Sequence, residues 1–184
     1  MSYRPITDFW FLARAKLKDG KKYYGAYLGG FPERARVLIG ASLQDPVLHV
    51  CGGMAKYYPY VRGFGAWDET QDLDPGCDPD ISLDATEAIA SKPTKNGHKE
   101  WAGILIDPPY SEDDAVHYFP GPESYPSPNS LVQKSIDVLS IGKKVGIIHY
   151  VLPACPKNAK FIACVGICCG FNNRIRVFSV FEKT

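Results

Sequence analysis

Ile104-Leu105-Ile106 runs straight into Asp107-Pro108-Pro109-Tyr110, and this junction restricts the backbone more tightly than any other stretch of the chain. The apolar triplet reads as a buried strand with an abrupt stop. Two consecutive prolines cannot continue a hydrogen-bonded ladder or enter a helix interior, so the chain leaves the sheet stiffly. A carboxylate, two prolyl carbonyls and an aromatic ring are thereby held together at the carboxyl end of a strand. In open α/β sheets that edge is where ligands bind. A planar group with an exocyclic amine suits the cluster, its ring on Tyr110 and its N–H bonds directed at Asp107 and the Pro108 carbonyl. A rigid turn carrying a surface acid is the plainer alternative.

The flanking sequence predicts a sheet around this strand. Val47 to Cys51 is a strand candidate ending at Gly52-Gly53. Thr70 to Pro75 and Ile81-Ser82-Leu83 are shorter ones, and Trp101 to Ile106 feeds the proline turn. Val145 to Leu152, Ala159 to Cys168 and Arg174 to Phe181 follow, the last two as a hairpin-like pair. Asp8 is placed to cap a helix over Phe9 to Lys18. Phe31-Pro32 opens a second helix that ends near Gly40, and Ser130 caps a third reaching Leu139. Residues 1–46 thus read as a helical preamble, and 111–129, rich in proline and aromatics, as a substrate loop. Buried strands alternating with crossovers predict an α/β fold with a mostly parallel sheet and an antiparallel C-terminal strand.

At 184 residues the chain suits a single domain spanning 1–184, with no separate target-recognition domain. No stretch reaches the roughly 20 apolar residues of a membrane helix, and the N-terminus lacks a signal-peptide layout. No membrane partner and a cytoplasmic location are therefore expected. The formal charge is +1, which neither demands nor excludes nucleic acid. The six cysteines form no C-x-x-C pair and read as small buried side chains rather than metal ligands, so no metal is expected.

Asp107-Pro108-Pro109-Tyr110 resembles motif IV of the S-adenosylmethionine-dependent amino methyltransferases that modify adenine N6, cytosine N4 or guanine N2, the DPPY type. Val47 to Gly53 resembles their motif I, although His49 stands where the family has an acid and Met54 where it has a second spaced glycine. Asp72-Leu73-Asp74-Pro75 is similar to motif II, with Asp72 favoured over Asp74 as the ribose acceptor. Asp84-Ala85 is similar to motif III, which meets the cofactor's adenine. Tyr24 and Phe31 lie where some members pack the methionine end.

The resemblance implies a three-layer Rossmann-like methyltransferase fold and S-adenosylmethionine as cofactor. It places Cys51, Gly52, Gly53, Asp72, Asp84, Tyr24 and Phe31 against that cofactor, and gives catalysis to Asp107, Pro108, Pro109 and Tyr110. The implied reaction is methyl transfer to the exocyclic amine of a nucleic-acid base, adenine N6 in DNA foremost and DNA ahead of RNA. A protein partner or homodimer would supply target recognition. Two other readings stand beside it: a non-catalytic partner subunit, which His49 and Met54 favour, and a methyltransferase of a small-molecule or protein amine.

Overall fold

A computed structural model describes residues 4–13, 27–57, 60–116, 125–169 and 174–184. Its strands are β1 (Ile6–Leu12), β2 (Val47–Val50), β3 (Glu69–Asp72), β4 (Ile81–Ser82), β5 (Gly103–Ile106), β6 (Lys144–His149), β7 (Ala159–Cys169) and β8 (Ile175–Lys183). They join in one sheet of order β1-β7-β8-β6-β5-β2-β3-β4. Every neighbouring pair is parallel except the two that β8 makes, with β6 and β7. The mostly parallel sheet with an antiparallel final strand is therefore as the sequence predicts.

Helix α1 (Phe31–Ile39) covers one face of the sheet, where Ala35 and Ile39 share a core with Leu105, Ile148 and Phe178. Helix α3 (Pro128–Val138) covers the other, where Leu131, Val132 and Ile136 meet Ile104, Ile106, Ile147 and Phe181. Strand residues alternate between these two layers, as a pleated sheet buried on both faces requires. α1 begins with Pro32 in its first turn and ends at Gly40, whose φ of 75° is left-handed and cheap only for glycine. A short helix, α2 (Glu112–Ala115), follows the proline turn, with Ser111 Oγ accepting the Asp114 N–H at 3.0 Å.

The helix expected over Phe9 to Lys18 is not formed where the chain is described: Ile6–Leu12 is the edge strand β1, running parallel to β7. Trp10 and Leu12 are buried while Phe9 and Phe11 are exposed, a period of two. Asp8 caps nothing; its carboxylate accepts the Phe9 N–H at 2.8 Å and the Trp10 indole N–H at 2.7 Å. Pairing with β7 has overridden a local helical pattern, which is a weak prior. The third helix also starts earlier than Ser130, because Pro128 presets the backbone dihedral of a first turn and Ser127 takes the cap position. No helix among the described residues is long and apolar enough to cross a membrane.

One buried polar network ties α1 to β2 and to the segment that leads into β3. Asp68, fully buried, is ion-paired with Arg36 of α1. It also accepts the Val47 N–H at 3.0 Å, the Gly65 N–H at 2.7 Å and the His49 Nε2–H at 3.1 Å. Burial alone would raise its pKa, but His49 and Arg36 outweigh that and hold it below the usual carboxylate value. Asp68→Ala leaves a buried guanidinium and two backbone donors uncompensated. Urea denaturation should show a loss of roughly 3–5 kcal/mol, and a loss below about 1 kcal/mol would contradict the role given to this network.

Candidate functional site

The sequence order of the strands reverses between β2 and β5, which lie side by side at the centre of the sheet. From there the chain runs outward through β3 and β4 on one side, and through β6 on the other. Such a reversal opens a crevice at the carboxyl ends of the strands. Val50 is opposite Ile106, and the Asp107 N–H continues the ladder to the Val50 carbonyl at 3.2 Å. Cys51 and Asp107 therefore leave adjacent strand ends together.

Beyond β2 the backbone turns hard. Cys51 has φ 51° and Gly53 φ 46°, and a cysteine in the left-handed region is held there against its steric preference. A Cβ on Gly52 would sit 2.6 Å from the His49 carbonyl oxygen and 3.0 Å from Thr70 Cγ2, so no other residue fits that turn. The turn folds onto the end of β3, where the Gly53 N–H donates to Asp72 Oδ2 at 2.8 Å. Asp72 Oδ1 accepts the Asp74 N–H at 3.0 Å. Burial raises the Asp72 pKa, with the two N–H bonds working against it. Asp74 instead turns its carboxylate to the Gly76 N–H at 2.8 Å, capping the 3₁₀ turn Pro75–Cys77.

Asp84 follows β4, and its Oδ1 accepts the Thr86 N–H at 2.7 Å. Next to it a cavity of about 190 Å³ is lined by Ala85, Thr86, Tyr125, Ser127 and Ser130 among others. All three acids lie within electrostatic reach of Cys51. The Cys51 thiol, raised first by burial, is raised further by the negative charges of Asp72, Asp107 and Asp84. Asp72, Asp84 and Asp107 thus lie at or just past the carboxyl ends of parallel strands β3, β4 and β5, on the same edge of the sheet as the Cys51–Gly53 turn.

Asp107 is buried, and its Oδ1 accepts the Tyr110 hydroxyl hydrogen at 2.7 Å. Burial pushes its pKa up to about 6, against the pull of the Tyr110 hydroxyl and the Arg176 charge. Its Oδ2 takes no hydrogen bond among the described residues and remains an acceptor. Pro108 is buried and Pro109 half-buried beside it. The Tyr110 ring lies 4.6 Å from the Tyr150 ring and edge-on to His149 at 5.4 Å, with the Arg176 guanidinium 5.3 Å from its centroid.

Of the two aromatics expected at the methionine end, the structure describes only Phe31. Tyr24 lies outside the described residues, as do Pro120 and the aromatics His117, Tyr118 and Phe119 of the 111–129 loop. Phe31 is in the core, 1% exposed, with its ring 5.3 Å from Tyr27 and 5.0 Å from Phe178. Tyr27, buried nearby, is the ring that feels the charges of Asp107, Cys51 and Asp72, after burial the causes of its raised pKa together with Asp68. Its hydroxyl meets His49 Nδ1 at 3.1 Å.

Sequence reasoning also passed over Arg176, Tyr125 and the supporting role of His149. The His149 Nδ1 accepts the Val151 N–H at 3.1 Å, which puts the neutral ring's proton on Nε2, 2.7 Å from the Tyr125 hydroxyl. Burial lowers the His149 pKa, and a hydrogen bond to the Pro109 backbone opposes this. His149 therefore braces the proline turn. Its position at a strand end was the only signal available.

No family model matches the chain, and no curated protein matches it. Solved structures do. TrmN from Thermus thermophilus superposes with a TM-score of 0.56 at 15% identity, covering 86% of this chain and 49% of that one. For yhhF from Escherichia coli the values are 0.54 and 11%, covering 94% and 98%. The 1,6-didemethyltoxoflavin-N1-methyltransferase of Burkholderia thailandensis, solved with S-adenosylhomocysteine, gives 0.51 and 9%, covering 84% and 79%. The chain spans about half the length of TrmN and of a further match from Streptococcus mutans. At these identities the likeness establishes the fold: a Rossmann-like methyltransferase fold.

The buried Asp107 carboxylate carries a measurable cost. A carboxyl group with folded pKa about 6 and an ordinary unfolded value near 3.8 destabilises the folded state at high pH. The penalty is absent below the unfolded pKa, grows between the two values and is complete above the folded one. Asp107→Asn, which keeps an acceptor for Tyr110, should raise stability at pH 8 by up to about 3 kcal/mol, from 1.36 kcal/mol per pKa unit. The gain should vanish as pH falls toward 4. Equal stability of the two proteins at pH 8 would show that Asp107 is not buried as a charge.

Proposed function

We propose that this chain is an S-adenosylmethionine-dependent methyltransferase acting on the exocyclic amine of a nucleic-acid base, adenine N6 in DNA foremost. The observation that supports the reading is the position of Asp72, Asp84 and Asp107 at or just past the carboxyl ends of parallel strands, all within electrostatic reach of Cys51 at the switch point of the sheet. The toxoflavin enzyme of the same fold binds S-adenosylhomocysteine, which supports the cofactor assignment.

The residues fit that cofactor. Gly52 has no room for a Cβ against His49 and Thr70, and Gly53 turns through a φ of 46°, so the strand end presents bare backbone. Asp72 offers lone pairs beyond the two it already shares, and its raised pKa marks a carboxylate that additional hydroxyl donors would stabilise. A ribose diol is such a donor pair. In this reading Asp84, which precedes the cavity-lining Ala85 and Thr86, meets the adenine amine. When bound, the cofactor supplies an electrophilic methyl group on a sulfonium.

The chain's own work is to prepare the acceptor. A ring amine is a poor nucleophile because its lone pair is delocalised. In this reading Asp107 Oδ2 and the Pro108 carbonyl hold its two N–H bonds and favour the pyramidal nitrogen. Tyr110, braced by Tyr150 and His149, presents a ring on which a base can stack. Positioning of this kind supplies about 7 kcal/mol or more of a barrier. Target recognition by a partner protein or a second copy, assisted by the 111–129 segment, completes the reading.

Calorimetry and a transfer assay on two variants separate the roles. Asp107→Ala should abolish transfer while leaving the cofactor dissociation constant within a few-fold. Asp72→Ala should weaken cofactor binding tenfold or more, from the loss of charge-assisted bonds of about 1.5–3 kcal/mol. Loss of both functions in Asp107→Ala would remove it as the amine acceptor. Absence of any cofactor binding in the unaltered protein would favour the non-catalytic subunit.

The pH profile gives a separate check. Only the ionised Asp107 offers both oxygens as strong acceptors with no competing O–H, so kcat/KM should fall about tenfold per pH unit below about 6, the value set by its burial. The limb for kcat should lie lower, because a bound amine stabilises the ionised form. A kcat/KM flat down to pH 5 would contradict this.

A further inference from the structure

Arg176 is half-buried beside the proline turn, and among the described residues its buried Nε has no acceptor. Strand β8 runs against β6, pairing Val177 with His149, so its first residues lie beside the carboxyl end of β6, level with the proline turn. Arg176 and Arg174 are two apart, on the side of β8 that also carries Phe178, against α1. The Arg176 guanidinium lies over the Tyr110 ring, and that of Arg174 lies 5.6 Å from the Tyr150 centroid. These two rings are 4.6 Å apart, so both cations border the surface on which an acceptor base would rest.

No carboxylate among the described residues lies within ion-pairing distance of Arg176, and its Nε is buried with no acceptor. Asp107 acts on it only through space, along with Tyr110 and Tyr150. A cation over an aromatic ring gains attraction from the ring face, yet the guanidinium keeps five in-plane donors to satisfy. A planar fork of donors matches the oxygens of a phosphate. The chain carries a net charge of only +1, and two arginines suffice for a single phosphate. Tracking a duplex backbone takes several more contacts.

We propose that Arg176, with Arg174 at the rim, receives a phosphate attached to the nucleoside that presents its amine to Asp107. The acceptor is then a nucleoside monophosphate unit, free or within a single strand, and not a bare nucleoside. This rests on the methyl-transfer reading above, and deepens it by naming what the substrate must carry beside its base.

The test is calorimetry in the presence of S-adenosylhomocysteine, whose own binding is measured first. Adenosine, adenosine monophosphate and a short adenine-containing single-stranded oligonucleotide are then titrated into the unaltered protein, Arg176→Gln and Arg176→Lys. The unaltered protein should bind the monophosphate at least tenfold more tightly than adenosine. Arg176→Gln should erase that preference while binding adenosine and S-adenosylhomocysteine within about twofold of the unaltered protein, and Arg176→Lys should retain part of it.

Preference for the oligonucleotide over the monophosphate identifies a strand phosphate as the ligand, and the reverse identifies a free nucleotide; either upholds the site. Equal affinity for adenosine and its monophosphate, a preference that survives Arg176→Gln, or no binding of any of the three overturns it. If S-adenosylhomocysteine binds in those cases, only the phosphate site fails. If it does not bind, the methyl-transfer reading fails and the phosphate site with it.

Discussion

The hydrogen bond from the Asp107 N–H to the Val50 carbonyl fixes everything else about the site. It keeps the exits of β2 and β5 in register one residue beyond the last strand pair, at the point where sequence order reverses. The glycine turn then has only one direction to go, toward the end of β3, and the Gly53 N–H locks it onto Asp72. The prolines carry the other exit away without a ladder. Both carboxylates end up wholly or partly buried at these strand ends, and burial raises the pKa values of Asp72 and Asp107.

Such a site is stabilised from below. His49 sits on β2 where the DPPY-type motif I has an acid, yet an acid is still present here, immediately before the neighbouring strand. Asp68 meets the His49 Nε2, and the opposite ring nitrogen meets the Tyr27 hydroxyl under the crevice. Arg36 balances the Asp68 charge from α1. The substitution that most departs from the family pattern has thus become the middle of a buried chain, from a helix cation to a phenol facing the site. His49 is satisfied on both nitrogens and stacks on Phe64 at 5.0 Å, so it serves the scaffold.

Much of this was legible in the sequence because it is local. Proline in the first turn and Gly40 at the end delimit α1, and each acid that closes a strand candidate does lie on the ligand edge. What was not legible depends on distant pairing. Phe9 to Leu12 has helical spacing, yet β7 offers it an edge, and Phe9 settles over Gly166, where a Cβ would meet its ring at 2.5 Å. Arg176 reads as one polar residue in an alternating strand until antiparallel pairing sets it beside Tyr110. Tyr27 and Phe31 are both aromatics near a turn, and only the fold shows that Phe31 packs the core while Tyr27 underlies the crevice.

The account stands or falls on where a labelled methyl group goes. The protein, given S-adenosylmethionine labelled in its methyl group and a mixture of DNA, RNA and mononucleotides, is followed by nucleoside digestion and mass spectrometry. Label on a base bearing an exocyclic amine, in a fragment that places it on that nitrogen, is the predicted result. Label on a ring carbon, on a sugar or on the protein itself, or a cofactor that binds and is never consumed, would contradict it.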